Sequence, residues 1–140
     1  MTTRTEGLQS VLAGEHATVY AYGVVGARLR GTADEDRALA RYEVHRRRRD
    51  EVAAALLAEG ETPVAAAPAY DLGTPVTSAA GARRLAADVE LGLCGPYADL
   101  VGASEPSDRR VAADWCADGA VVAVSWGGDP LAFPGLAERA

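Results

Sequence analysis

Glu15, His45, Glu90 and Asp118 are side chains that can bind a cation or move a proton, and each lies where a helix should hide its apolar side. Leu8, Leu12, Val19, Tyr22, Gly26 and Leu29 recur at the alternating 4-3 spacing of a buried stripe, and Glu15 falls on that stripe. His45 lies on a second stripe made of Ala38, Tyr42, His45, Arg49, Val52 and Leu56. Asp118 lies on a third, with Val111, Trp115 and Val122. A carboxylate in a core needs a partner, because burying an unpaired charge costs far more than burying an alkyl group gains. Three carboxylates and an imidazole suit iron, manganese or zinc. The other candidate partner is Arg49, one turn beyond His45, whose fixed charge competes with a metal ion for the same space. That competition favours a buried ion-pair cluster, with a mononuclear metal site at Glu15, His45, Glu90 and Asp118 as the alternative.

Four helical segments must position these residues. The first begins at a capping box, Thr3 to Glu6, and runs over about 4–30; a second box, Thr32 to Glu35, starts a helix over about 33–59. Residues 60–75 hold three prolines and no periodicity, which makes them a long extended connection. A third helix covers about 76–103, with a kink expected at Gly95-Pro96, and a fourth covers about 107–126. The tail, 127–140, is expected to lay Leu131 and Phe133 back on the bundle. A helix of about 25 residues is roughly 38 Å long. About 15 extended residues reach roughly 50 Å, so the connection can return along the whole length. The expected fold is an all-α four-helix bundle in which two antiparallel hairpins are joined by one long crossover.

The hairpins look like copies of one another. "EHATVYAY", 15–22, and "ELGLCGPY", 90–97, share Glu-x6-Tyr, and each is followed by Gly-Ala, at Gly26-Ala27 and Gly102-Ala103. In the second helix of each hairpin, Tyr42 and His45 correspond to Trp115 and Asp118. Distance from the turns gives an independent measure of depth. It sets Glu15 level with about Arg48 and near His45 and Arg49, Glu90 near Asp118, and Cys94 level with Cys116. The hydroxyls and indoles of Tyr20, Tyr22, Tyr42, Tyr97 and Trp115 are the donors available to buried carboxylates.

Composition narrows the functional classes. A chain of 140 residues that is 49% apolar folds as one domain. Lysine, isoleucine and asparagine are absent and every basic residue except histidine is arginine, a bias of GC-rich coding rather than of function. The net charge of −6 argues against nucleic acid and anionic membranes as partners. No segment reaches the roughly 20 apolar residues of a membrane helix, and a cytoplasmic location is expected. Two cysteines make no disulfide framework. No Ser or Cys nucleophile has a histidine at hand, and no glycine-rich phosphate loop follows a strand. Arg46 to Arg49 covers nearly a full helical turn and is expected to pair with neighbouring acids; His16 is expected to be half-exposed.

The segments "GEHATVYAYGVVGARL", "HRRRRDEV", "PAYDLGTPV" and "WGGDPLAFPGL", with the second Glu-x6-Tyr, resemble a ferritin-like domain family of unknown function from GC-rich bacteria, over nearly the whole chain. The resemblance implies a ferritin-like four-helix bundle and no established activity. Di-iron members of that superfamily take one Glu from each of two helices and Glu-x-x-His from each of the other two. Glu15, Glu90 and His45 match three of those positions. Tyr42 and Trp115 stand where both motif glutamates belong, and Asp118 stands for the second histidine. The resulting expectation is a non-enzymatic bundle without cofactor, its di-iron site degenerate and replaced by ion pairs. It forms a homodimer or higher homo-oligomer through Ala17, Ala21, Gly23 and Ala27. The alternatives are an iron or manganese oxidoreductase-type protein and an interaction module that holds an acidic partner through Arg46 to Arg48.

Overall fold

A computed structural model describes residues 1–136; the last four residues of the expected tail, 137–140, lie outside the described residues. The described chain is all-helical: α1 Arg4–Leu29, α2 Glu35–Ala58, α3 Ala79–Gly92, α4 Cys94–Ala103 and α5 Pro106–Ser125. The Thr3 hydroxyl accepts from the Glu6 amide and the Glu6 carboxylate accepts from the Thr3 amide, which satisfies two of the amides a helix start leaves open. Thr32 and Glu35 do not repeat that box. Thr32 Oγ1 accepts from the Asp34 amide, and Glu35 reaches back to the Gly31 amide, 2.7 Å away. Ser78 caps α3, so that helix starts at Ala79 rather than Val76.

α3 and α4 together make the third rod. Their break falls at Leu93, two residues before the expected Gly95-Pro96. Pro96 has no amide to donate, and its ring crowds the carbonyl four residues earlier, at Gly92, so the damage appears upstream of the proline itself.

The 59–78 segment runs beside α1. Gln9 bonds the Thr62 carbonyl and the Val64 amide, His16 sits 3.0 Å from the Val64 carbonyl, and Tyr20 meets the Tyr70 ring at 5.6 Å. The connection therefore travels the length of α1 and delivers α3 antiparallel to it.

Two apolar cores result. One gathers Tyr22, Val25, Leu29, Ala38, Leu85, Ala86 and Trp126, and the other Leu8, Val11, Leu12, Val52, Leu56, Leu93, Tyr97 and Leu100. Between them lies a polar layer. α1 packs closely on α2 and on α3–α4, and α3–α4 on α5; among the described residues no Cα of α2 comes within 8 Å of α5.

On α5 the buried positions are Ala112, Gly119 and Ala123, one residue on from the expected stripe. Val111 is exposed, and Trp115 and Asp118 turn toward α2. Gly119 permits this close α3–α5 approach, since a Cβ there would stand 3.2 Å from the Glu90 carbonyl. The tail also differs from expectation. Phe133 is 71% exposed, and contact is made instead by Gly135, whose φ of +80° and fit against the Cys94 carbonyl leave no room for a side chain. Among the described residues no helix is long and apolar enough to cross a membrane.

Candidate functional site: a buried charge cluster

Glu15, His45 and Glu90 are all 0% exposed and meet at the polar layer. His45 lies between the two glutamates, with Nδ1 2.7 Å from Glu15 Oε2 and Nε2 3.1 Å from Glu90 Oε1. Each tyrosine of the repeated Glu-x6-Tyr donates to the glutamate of the other copy: Tyr22 to Glu90 at 2.7 Å, and Tyr97 to Glu15 in a short hydrogen bond. Tyr22 also stacks on the His45 ring and accepts from the Trp126 indole at 3.0 Å.

Two arginines complete the layer. Arg41 grips Glu90 with Nε and Nη2, both at 2.8 Å, and extends Nη1 to Asp118 at 2.9 Å. Arg48 bonds Asp118 at 2.6 Å and the Tyr97 hydroxyl at 3.2 Å, and it lies over the Trp115 ring. Arg49, the cation expected at the site, pairs instead with its neighbour Asp50 at 2.8 Å. The sequence stripe had the wrong phase: 41, 45, 48 and 52 face inward, and 42 and 49 flank them. Asp118 also departs from expectation. Its side chain is 42% exposed and reaches the buried residues only through the two guanidinium groups.

Electrostatics follow from this wiring. Burial alone would depress the His45 pKa, but hydrogen bonds to Glu15 and Glu90 outweigh it and hold His45 above the ordinary imidazole value. Burial would raise the Glu90 pKa; His45 and Arg41 hold it down, at about 2. Burial and the adjacent carboxylates push both tyrosine hydroxyls upward, so they remain donors. With His45 protonated, three acids face three bases and the layer is neutral.

A divalent cation fits this donor set poorly. A metal ligand must present a lone pair, yet both His45 nitrogens are directed at carboxylates, and the Glu90 oxygens already accept from Arg41, Tyr22 and His45. Among the described residues no three His, Cys, Asp or Glu side chains are grouped to hold a metal ion.

Other sequence candidates lie elsewhere. Arg46 pairs with Glu43, and the inward turn of Arg48 breaks up the arginine run. Cys94 and Cys116 each direct Sγ at the other's carbonyl and form no disulfide. Ala21 belongs to the core, whereas Gly23 and Ala27 remain exposed.

The geometry thus defines a helical bundle with a charge-paired middle layer. The chain belongs to the family described as a domain of unknown function, DUF4439, which matches residues 7–138. It is similar to the crystal structure of a conserved hypothetical protein, rv2844, from Mycobacterium tuberculosis. The identity is 35% over 89% of this chain and 94% of that one, with a TM-score of 0.84. No curated protein matches it.

Proposed function

We propose that this protein is a non-enzymatic, ferritin-like bundle of the cytoplasm in which a neutral ion-pair cluster stands at the positions of a di-iron centre. One observation carries the reading: His45 spends both ring nitrogens on Glu15 and Glu90, while Arg41 holds Glu90 with two parallel hydrogen bonds. A guanidinium fork supplies the countercharge that a metal would otherwise supply. The long connection beside α1 supports the one-crossover topology of ferritin-like bundles. Self-association through the exposed Gly23 and Ala27 side of α1 belongs to the same proposal.

The test is elemental analysis of untagged protein purified without chelator, beside Glu15→Ala. No stoichiometric iron, manganese or zinc is expected in either protein, and the variant is destabilised. Stoichiometric metal that disappears with Glu15 would establish the mononuclear alternative at Glu15, His45, Glu90 and Asp118.

A further inference from the structure

The seam between α4 and α5 holds both cysteines, and the charge layer uses neither. Gly119 brings the helices together there, since a Cβ on it would stand 3.2 Å from the Glu90 carbonyl and 3.9 Å from Cys94 Sγ. One turn further along the antiparallel pair, Cys94 on α4 faces Cys116 on α5. Cys94 Sγ lies 3.5 Å from the Cys116 carbonyl oxygen, and Cys116 Sγ lies 3.9 Å from that of Cys94. Covalent geometry then puts the Cys94 sulfur within about 6 Å of the Cys116 Cα. The reciprocal contacts set the two backbones near the separation that a disulfide spans. Rotation of each thiol about its own Cα–Cβ bond, rather than movement of a helix, brings sulfur to sulfur.

Access to the pair is uneven. Cys94 is fully buried, whereas Cys116 is half-buried. The tail lies across both: the Pro134 carbonyl is 3.8 Å from Cys116 Sγ, and Gly135 rests on the Cys94 carbonyl with no room for a Cβ. A solvent-borne oxidant therefore reaches Cys116 first, and a small one passes the tail more readily than a bulky one. We propose that Cys116 is the site at which a small peroxide oxidises this protein, and that Cys94 resolves the product into an intramolecular disulfide beneath the tail. The Cys116 thiolate attacks one peroxide oxygen, the O–O bond breaks, the other oxygen leaves as water, and Cys116 becomes a sulfenic acid. Cys94 Sγ then attacks Cys116 Sγ, the S–O bond breaks, and the hydroxide leaves with the Cys94 proton as a second water. Two thiols give up two electrons and two protons to the peroxide, and one S–S bond forms.

The experiment treats the reduced full chain with excess hydrogen peroxide, blocks the remaining thiols, and reads intact mass and peptide maps. The expected product is a single chain with its Cys94 and Cys116 peptides linked, and dithiothreitol restores both thiols. In Cys94→Ser, dimedone is expected to trap a sulfenic acid on Cys116. In Cys116→Ser, the buried Cys94 is expected to react at least about tenfold more slowly than the wild-type pair. Gly135→Ala, whose methyl group displaces the tail from the Cys94 carbonyl, is expected to form the disulfide about threefold faster. Wild-type thiols that survive the treatment, a disulfide between two chains, no dimedone adduct on Cys116, or a wild-type rate in either Cys116→Ser or Gly135→Ala would each overturn the inference.

Discussion

The Glu15 and Glu90 limbs of the charge layer start from the same Glu-x6-Tyr unit and exchange tyrosines, yet they are secured differently. Glu90 accepts from Arg41 twice, from Tyr22 and from His45, and Tyr22 is itself braced by Trp126. Glu15 accepts from Tyr97 and His45, and Arg48 bonds that tyrosine rather than the carboxylate. The repeat supplies a symmetric skeleton, and the asymmetric placement of arginines on α2 decides which carboxylate is neutralised by a fixed charge and which depends on a protonated histidine.

The largest effect should come from removing the fixed charge. Arg41→Met leaves Glu90 and Asp118 short of a cation and should cost about 3–5 kcal/mol in urea unfolding. A loss below about 1 kcal/mol would mean that the two limbs are equivalent after all.

Next comes pH. Glu90 has its pKa lowered from 4.5 to about 2 on folding, so its contribution of about 3 kcal/mol is complete above pH 4.5 and fades as pH falls toward 2. His45 is raised above 6.5, so its contribution is complete below pH 6.5 and fades as pH rises through the raised value. Thermal melts should therefore peak between about pH 4.5 and 6.5. His45→Gln should flatten the alkaline side and, because His45 also helps hold the Glu90 carboxyl down, soften the acid side as well; an unchanged alkaline slope would count against a protonated His45.

The tyrosines sharpen the contrast further. Tyr97→Phe deprives Glu15 of one of its two donors and should cost about 2–3 kcal/mol, whereas Tyr22→Phe removes one of four donors from Glu90 and should cost about 1. Equal losses in parallel melts would show that the arginine does not compensate. Arg49→Ala, which removes only an exposed pairing with Asp50, should change stability by less than about 0.5 kcal/mol.

Much of the layer is legible in the sequence. Glu15 and Glu90 stood out as charges on apolar stripes, and their shared spacing to Tyr22 and Tyr97 tied them together. His45 followed from depth along the hairpin. Arg41 and Arg48 were missed because stripes 42-45-49 and 41-45-48 fit a 3.6-residue period equally well, and they differ only in which flank of α2 turns inward. Charge balance could have separated them: buried acids on two helices call for more than one cation, and Arg41 and Arg48 are the pair that straddles His45. Asp118 is half-exposed rather than buried because the inward side of α5 lies one residue on from the 111-115-118-122 stripe. Small residues, Ala112, Gly119 and Ala123, line the side of α5 that faces α3–α4, where the helices come close enough to need them.

α2 is joined to α5 through arginine side chains, Arg37 over Trp126 and Arg41 and Arg48 to Asp118, rather than by close backbone approach. A helix held across a gap by ionic struts has fewer dispersion contacts to break when it lifts. The α2 amides should therefore lose hydrogen-exchange protection together, ahead of those of α1, and added salt should accelerate that opening selectively.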